Sequence, residues 1–339
     1  REGLLDAGYE YVVIDDIWAL KERDKAGRLV PDPEKFPHGM KYLSDYIHSK
    51  GLKFGMYSSA GYQTCAGYPA SFEYEWTDAA SFAEWGVDYL KYDYCYHPTN
   101  VRPDILYKRM ALALANSGRD IVFSACSWGV DNTRQWIKET GAHLWRSTGD
   151  IYDGWPNIKM LAHKEMQEME YNGCGCFNDM DMLVVGMHEQ NDWMGPGMTD
   201  IEYRTNFAIW CVVAAPLLIG ADPNHLDSVA LDILKNPRLI AINQDPLAMP
   251  AHRVSTEDHG RELWVRQLSD FRWVSAIINR AHEKREYSYK WEELDLSPAV
   301  PMKITDAWTG EILAEKVCGE FAVSLEAHDT AVLIMTPVL

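Results

Sequence analysis

The sequence predicts an α/β fold, a (β/α)8 TIM barrel followed by a small C-terminal antiparallel β domain. Apolar runs rich in β-branched and aromatic residues recur about every 35 residues, helical patterns lie between them, and short runs of alternating polarity follow Pro246. Repeated strand–helix units form a parallel sheet with helices packed outside it. An open doubly wound sheet fits the same periodicity, so the pattern alone leaves that alternative open.

Seven strands are predicted in the first part of the chain, and a closed barrel needs an eighth. The predicted strands are residues 9–15, 52–58, 87–93, 120–126, 142–147, 176–183 and 215–220. Helices are predicted within residues 40–51, 80–86 and 206–215. The segment from Arg1 to Gly8 has the composition of a helix end that stops at glycine, so we expect the eighth strand to precede Arg1.

The last part of the chain has the pattern of a small antiparallel β domain. Short runs of period two, separated by turn residues, lie at 262–268, 273–279, 300–308, 321–327 and 330–336. The predicted domains are therefore a barrel over residues 1–247 and a β domain over residues 248–339.

Composition narrows the choice of partner. A net charge of −18 argues against nucleic acid and anionic membrane surfaces, which would both repel the protein. No apolar run reaches the roughly 20 residues that span a bilayer. The seven cysteines are too irregularly spaced for a disulfide scaffold, although one bridge is compatible with them. Thirteen Trp and eighteen Tyr suit a sugar ligand, but most such side chains fill protein cores.

Polar side chains follow six successive predicted strands. A single Asp after a strand is more often a helix cap or turn former than a catalyst, but six strand ends in succession predict a site at the carboxyl edge of the barrel. The residues are Asp15, Asp16, Tyr57, Lys91, Asp93, Cys126, Ser127, Arg146, Asp150, Asp179 and Asp181. Asp93 lies within an apolar strand and needs a partner, which Lys91, two residues away on the same face, can supply.

Acidic residues without metal-binding motifs suit glycoside hydrolysis, which needs one ionised and one protonated carboxyl group beside the same bond. A Mg²⁺ or Ca²⁺ site is the main alternative. The chain has no calcium-hand spacing, and Cys174 and Cys176 are too close together for a zinc pair. We expect neither a metal nor another cofactor.

The motifs YLKYDYC (89–95), WRSTGDI (145–151), FNDMDMLVVG (177–186), AAPLLIGAD (214–222) and IAINQDPL (240–247) resemble glycoside hydrolase family 27. This family contains α-galactosidases (melibiases) and α-N-acetylgalactosaminidases. VVIDDIW (12–18) and YQTCAGYPAS (62–71) fit as well. The resemblance implies a (β/α)8 TIM barrel with a C-terminal antiparallel β-sandwich domain. It also implies a retaining double displacement, in which Asp93 is the nucleophile and Asp150 the acid/base. The two carboxyls should then lie about 5–6 Å apart.

The resemblance also implies the sugar contacts. Asp15 and Asp16 match the pair that holds the O4 and O6 hydroxyls of the sugar. Further matching contacts are Tyr57, Lys91, Arg146, Asp181 and Met182, the last two under the ring. Cys65 and Cys95 match a bridged pair beside the nucleophile, the alternative being two reduced, buried thiols.

The chain departs from the family pattern in three places. The opening M-G-W-N-S-W strand is absent, so we expect the chain to be incomplete at its start. The usual partner of Cys126 is Ala142 here, which predicts a thiol at Cys126. Ser127 replaces the Glu of most α-galactosidases, as in α-N-acetylgalactosaminidases, but the adjacent Trp128 and Val130 are larger than the Ala of those enzymes.

The predicted activity is release of terminal α-linked galactose, and the predicted partner is an α-galactoside or an α-N-acetylgalactosaminide. An α-N-acetylgalactosaminidase is the alternative that Ser127 favours, and a catalytically silent sugar-binding protein is a third. The sequence leaves open the aglycone, the compartment (bacterial cytosol or export) and the oligomeric state, a homo-oligomer included.

Overall fold

The computed structural model of the chain describes residues 2–188, 195–256 and 260–338. It contains two compact units. The N-terminal unit consists of Gly8–Gly149 and Gly175–Asp179, and the C-terminal unit consists of the described parts of Arg1–Ala7, Asp150–Cys174 and Met180–Leu339. The predicted domain boundary after residue 247 stays a prediction.

The N-terminal unit contains a six-stranded sheet in which every neighbouring pair is parallel and the strands follow chain order. Its strands are β1 (Tyr11–Val13), β2 (Lys53–Ser59), β3 (Tyr89–Asp93), β4 (Val122–Ala125), β5 (Leu144–Arg146) and β6 (Phe177–Asp179). Six of the residues of β2 are buried, as expected for a parallel strand covered on both faces. The first six predicted strands are therefore confirmed, and most are shorter than predicted.

Helices connect these strands on the outside of the sheet. They are α1 (Gly39–His48), α2 (Glu75–Trp85), α3 (Pro103–Ala115), α4 (Thr133–Trp136) and a 3-10 turn at Ile137–Glu139. Gly86 ends α2 in the left-handed conformation, with φ of 81°, and Pro103 starts α3, where a missing N–H costs nothing. On β3, Tyr92 packs its ring against Tyr107 of α3, so the alternate residues of that strand face away from the helix.

The helical part of the C-terminal unit begins with α5 (Trp155–Glu168), which a 3-10 turn at Met169–Tyr171 extends. It continues with α6 (Asp200–Val212), α7 (Ser228–Leu234) and α8 (Pro237–Asn243). Thr199 and Glu202 form a capping box at the start of α6. Among the described residues, no helix is both long and apolar enough to cross a membrane.

Two predicted elements differ from the structure. The predicted strand at 215–220 is reduced to one parallel bridge between Leu183 and Ile219, because Pro216 has no N–H to donate to a ladder. The predicted helix end before Gly8 is a run of turns in which the Ala7 N–H donates to the Gly3 carbonyl oxygen over 3.2 Å.

The rest of the C-terminal unit is an antiparallel β-sandwich. One sheet has six strands in the order β12-β11-β14-β9-β8-β7, and the other pairs β10 with β13. The strands are β7 (His252–Thr256), β8 (Arg261–Gln267), β9 (Trp273–Asn279), β10 (Arg285–Lys290), β11 (Met302–Asp306), β12 (Ile312–Val317), β13 (Glu320–Leu325) and β14 (Thr330–Pro337). Leu263, Ile277, Tyr287 and Leu333 pack in its core, because alternate residues of each strand face inward. The predicted β domain is confirmed.

Candidate active site

The carboxyl ends of β2 and β3 bring three predicted site residues together. The parallel register places Tyr57 opposite Lys91 and Ser59 opposite Asp93. Lys91 and Asp93 are two residues apart and so point to the same face of the sheet. The charge of Lys91 acts on Asp93, as the sequence argument expects, but the ion pair of Lys91 is with Asp15.

Asp93 is a buried carboxylate, with 6% of the residue exposed. Its Oδ1 accepts a hydrogen bond from the Tyr94 N–H over 2.9 Å, and its Oδ2 accepts one from the Tyr57 hydroxyl over 3.1 Å. Burial raises the pKa of Asp93 above its ordinary value, while the charge of Lys91 and both hydrogen bonds act in the opposite direction. The site therefore holds a desolvated carboxylate whose ionised form is stabilised by neighbouring donors.

Lys91 connects this carboxylate to the end of β1. Its Nζ lies 2.8 Å from Asp15 Oδ2 and 5.4 Å from the centroid of the Tyr57 ring. Burial lowers the pKa of Lys91, but Cys126, Asp15 and Asp93 raise it, and the net result is a pKa above the ordinary value. The surroundings of Lys91 therefore favour its charged form.

Asp16 is linked to the segment that carries Cys65. Its Oδ2 accepts a hydrogen bond from the Ala66 N–H over 2.9 Å, and its Oδ1 accepts one from the N–H of Ile17, whose φ is 68°. The Trp18 indole N–H donates to the Tyr57 carbonyl oxygen over 2.9 Å. The segment after β1 is thus anchored both to β2 and to the loop that follows it.

Cys65 and Cys95 form a disulfide, which confirms the predicted bridge over the alternative of two thiols. The Tyr57 hydroxyl lies 3.4 Å from Cys65 Sγ, so the bridge is in contact with the residue that holds Asp93. Gly61 lets the two segments meet, because a Cβ at this position would lie 2.0 Å from the Cys95 carbonyl oxygen.

The disulfide also bears on metal binding. Within the described part of the chain, one group of at least three potential ligands is close enough to surround an ion: Cys65, Asp93 and Cys95, with ligand atoms within 4.8 Å of one another. Both sulfurs of this group are in the disulfide, and only deprotonated thiols ligate metals. This group is therefore a poor metal site.

Ser127 follows β4 and is completely buried. Its Oγ lies 2.7 Å from Thr133 Oγ1, which in turn lies 2.6 Å from the Val130 carbonyl oxygen. Since a hydroxyl has one proton, and Thr133 donates its proton to the carbonyl, Ser127 must be the donor to Thr133. Trp128, partly buried with φ of 57°, packs edge-on against Tyr94.

Arg146 is a buried cation at the end of β5, with 3% of the residue exposed. Its Nη1 lies 3.8 Å from the sulfur of Cys126, a buried thiol outside any disulfide, as predicted. Asp179 of β6 is also buried and lies opposite Arg146 in the parallel register. Arg146 and Asp179, two buried residues of opposite charge, thus lie opposite each other in the strand register of β5 and β6.

The other predicted residues belong to the C-terminal unit. Asp150 is exposed, whereas Ile151, which follows it, is buried. The buried Asp181 accepts hydrogen bonds from the N–H groups of Ile151 and Met182, both over 2.8 Å. Met182 lies against Gly220, because a Cβ added to Gly220 would lie 3.2 Å from the Met182 Cβ.

Several residues that hold this site in place had no sequence signal of their own. Trp18 and Trp210 each donate a hydrogen bond to the carbonyl oxygen of a site residue far away in the chain, Tyr57 and Asp181 respectively. Thr133 bonds Ser127, six residues before it. Gly61 could have been found, because glycine close to a predicted strand end indicates a close backbone approach. The roles assigned to the site residues stay predictions.

Carboxylates at the carboxyl ends of parallel strands, with cations that hold one of them ionised, suit the chemistry of glycoside hydrolases. A β-sandwich that follows the parallel strands is consistent with the resemblance noted in the sequence. The fold and the site thus define the class of protein as a glycoside hydrolase.

Comparison with known proteins identifies the family. The family model "Alpha galactosidase A" matches residues 1–245, and the model "Alpha galactosidase C-terminal beta sandwich domain" matches residues 258–335. The chain belongs to this α-galactosidase A family, within glycoside hydrolase family 27. The predicted family, fold class and enzyme class are therefore confirmed.

Individual relatives cover nearly the whole chain. It is 41% identical over 337 residues to alpha-galactosidase 3 of Arabidopsis thaliana, covering 99% of this chain and 75% of that protein. It is also 41% identical over 337 residues to an alpha-galactosidase of Coffea arabica, covering 99% and 86%. The crystal structure of alpha-galactosidase I from Mortierella vinacea has a TM-score of 0.92 at 32% identity, covering 98% of this chain and 89% of that one.

Proposed function

We propose that the protein is a retaining glycoside hydrolase that releases terminal α-linked D-galactose from oligosaccharides or glycoconjugates. Asp93 is the nucleophile and Asp150 the acid/base. The observation that carries the proposal is the buried Asp93 carboxylate, which accepts hydrogen bonds from Tyr57 and Tyr94 beside the Lys91 cation. The names of the relatives support galactose as the sugar.

In the first step, a carboxylate oxygen of Asp93 forms a bond to the anomeric carbon, and the bond from that carbon to the leaving oxygen breaks. Asp150 gives its proton to the leaving oxygen. The product of this step is a covalent galactosyl ester of Asp93, with the configuration inverted to β.

In the second step, Asp150 takes a proton from water as the water oxygen attacks the anomeric carbon. The ester bond breaks, Asp93 recovers its carboxylate, and galactose leaves in the α configuration. The exposed position of Asp150 suits a group that exchanges protons with water and with the leaving sugar, and the buried position of Asp93 suits a desolvated nucleophile.

Sugar binding is assigned to the contact residues that the family resemblance implies. Asp15 and Asp16 accept hydrogen bonds from the O4 and O6 hydroxyls, and Lys91, Tyr57 and Arg146 make further contacts. The Lys91 cation also stabilises the negative charge of Asp93 when it leaves the ester in the second step. Asp181 and Met182 remain candidates for the surface under the ring.

The structure around Ser127 supports galactose over N-acetylgalactosamine. An acetamido group would need an exposed surface beside Ser127, but this residue is completely buried and its hydroxyl donates to Thr133. The serine itself favours the second candidate function, an α-N-acetylgalactosaminidase. Paired initial rates on p-nitrophenyl α-galactoside and α-N-acetylgalactosaminide decide between them, and faster acetamido turnover would overturn our choice.

Azide rescue tests the two catalytic roles. Both Asp93→Ala and Asp150→Ala should lose most activity, and azide should restore turnover with different products. Azide that replaces the nucleophile gives the β-galactosyl azide, whereas azide that attacks the galactosyl ester in the Asp150 variant gives the α-galactosyl azide. Asp245→Ala is the control, because Asp245 also holds a backbone N–H, that of Ser269 over 3.0 Å, without a proposed catalytic role. Full activity in either catalytic variant, or the opposite anomers, would contradict the assignment.

A further inference from the structure

Asp181 has an unusual backbone for a residue with a side chain. Its φ is 83°, in the left-handed region that L-residues with a Cβ seldom adopt, and Asp and Asn tolerate it best. It is also buried, with 6% of the residue exposed. A strained, buried acidic residue of this kind persists only where its surroundings hold it in place.

Hydrogen bonds from Trp210, Met182 and Ile151 hold Asp181. The indole N–H of Trp210, in α6, donates to its carbonyl oxygen over 2.8 Å, and Trp210 is completely buried. The Met182 N–H donates to Oδ1 over 2.8 Å. Oδ2 then accepts the N–H of Ile151 over 2.8 Å, so the carboxylate joins a fixed part of the core to the residue directly after Asp150.

The rest of this loop is fastened at later positions. The Tyr152 N–H donates to Asn157 Oδ1 over 3.0 Å, and the Tyr203 hydroxyl donates to Asp153 Oδ2 over 2.7 Å. The hydrogen bond from the Ile151 N–H to the Asp181 carboxylate involves the residue directly after Asp150. It is charge-assisted, and such bonds are shorter and stronger than neutral ones.

We infer that Asp181 is a positioning residue for the acid/base Asp150: its carboxylate fixes the Ile151 N–H and, through that peptide, the place from which Asp150 delivers its proton. The inference rests on the proposed acid/base role of Asp150. Misplacing a catalytic group by about 1 Å can cost roughly 100-fold in rate, so loss of this bond should appear as weaker acid catalysis. Asp181 thus acts on the leaving group and not only on the sugar ring.

Asp181→Asn is the informative variant. Asn keeps the shape and tolerates the left-handed backbone, but its NH₂ group cannot accept, so one of the two backbone donors loses its partner. We expect kcat/KM to fall about 100-fold for methyl α-galactoside, whose leaving oxygen needs a proton, and less than about ten-fold for α-galactosyl fluoride, whose leaving group needs little acid assistance. Azide should raise kcat of this variant on α-galactosyl fluoride, because hydrolysis of the galactosyl ester then limits the rate.

A purely structural role would not depend on the leaving group. Equal loss on both substrates, with no effect of azide, would refute the inference. Asp245→Asn is the matched control, since Asp245 accepts the N–H groups of Leu247 and Ser269, both over 3.0 Å, and should change both substrates by the same factor. If Asp181→Asn does not fold, Asp181→Gly removes the carboxylate, relieves the backbone strain and gives the same comparison.

The variant Asp150→Ala distinguishes failure of this inference from failure of the proposed acid/base role of Asp150. Absence of leaving-group dependence in Asp150→Ala would mean that Asp150 is not the acid/base, and both would fail. Strong dependence in Asp150→Ala without any in the Asp181 variant would leave the acid/base role intact and refute the positioning role alone.

Discussion

Tyr57→Phe should lower kcat/KM more at low pH than on the plateau of the pH profile. The Tyr57 hydroxyl donates to Asp93 Oδ2 over 3.1 Å, and only 6% of Asp93 is exposed, so little solvent can replace the lost bond. A hydrogen bond to a charged group contributes about 1.5–3 kcal/mol, and the long distance favours the lower end. About 1.5 kcal/mol corresponds to roughly ten-fold.

The direction of the pKa change depends on which form of Asp93 the hydrogen bond stabilises. The hydroxyl donates to the carboxylate, so its loss raises the pKa of Asp93 beyond the increase that burial already causes. At a given pH on the acid limb, fewer molecules then carry an ionised nucleophile, and kcat/KM on an aryl α-galactoside should fall about ten-fold more there than on the plateau. The assay is the pH profile of kcat/KM for the variant and the parent enzyme.

Tyr94→Phe is the matched control for this experiment. The Tyr94 hydroxyl donates to Asp131 Oδ2 over 2.9 Å, and only its backbone N–H contacts Asp93, so the acid limb should stay where it is. A ratio of variant to parent that is constant across pH in Tyr57→Phe would refute the reasoning, because the hydroxyl would then have no influence on the ionisation of Asp93.

Three further predictions concern stability and are checked by thermal and denaturant unfolding. Asp78→Ala should lower the free energy of unfolding by about 3–5 kcal/mol, because Arg23, 2.7 Å from the fully buried Asp78, would keep a nearly buried charge without its partner. A loss below about 1 kcal/mol would contradict this. Reduction of the Cys65–Cys95 bridge, which joins residues 30 positions apart, should lower the free energy of unfolding by about 3 kcal/mol. An unchanged midpoint of the unfolding transition under reductant would contradict this. Gly61→Ala should impair both stability and activity, since its Cβ would lie 2.0 Å from the Cys95 carbonyl oxygen, and a variant of parental stability would contradict this.

The parts of the fold that sequence periodicity predicted are those that repeat. Six strands occur where apolar runs followed helical segments, because buried parallel strands need continuous apolar sequence. The predicted strand at 215–220 fails at Pro216, which removes a ladder donor, and leaves only the bridge at Ile219. The described residues before Gly8 form turns where the sequence predicted a helix end.

The site was predictable in its residue types but not in its contacts. A carboxylate in an apolar strand needs a partner, and the spacing identified Lys91, whose charge does act on Asp93. The donors to Asp93, the Tyr57 hydroxyl and the Tyr94 N–H, had no such signal. The partners of Ser127 and Asp181 could not be found in this way. Thr133 and Trp210 come from helices whose placement depends on the packing of the core, and no local pattern encodes which side chain will meet which.

Asp15→Asn should move the acid limb in the opposite direction to Tyr57→Phe. The negative charge of Asp15 contributes to the raised pKa of Asp93, and Asp15 also shares the Lys91 cation over 2.8 Å. Neutralising Asp15 removes the repulsion and leaves the Lys91 charge to Asp93, while Asp93 still favours the charged form of Lys91. KM should rise, because Asp15 is a proposed sugar contact, but the ratio of variant to parent kcat/KM should increase as the pH falls. Because the Asp15 side chain is 56% exposed, solvent screening should keep that increase below about ten-fold. A ratio that decreases toward low pH would mean that Asp15 supports the ionised nucleophile, and that the charge balance between Asp15, Lys91 and Asp93 is the reverse of the one argued here.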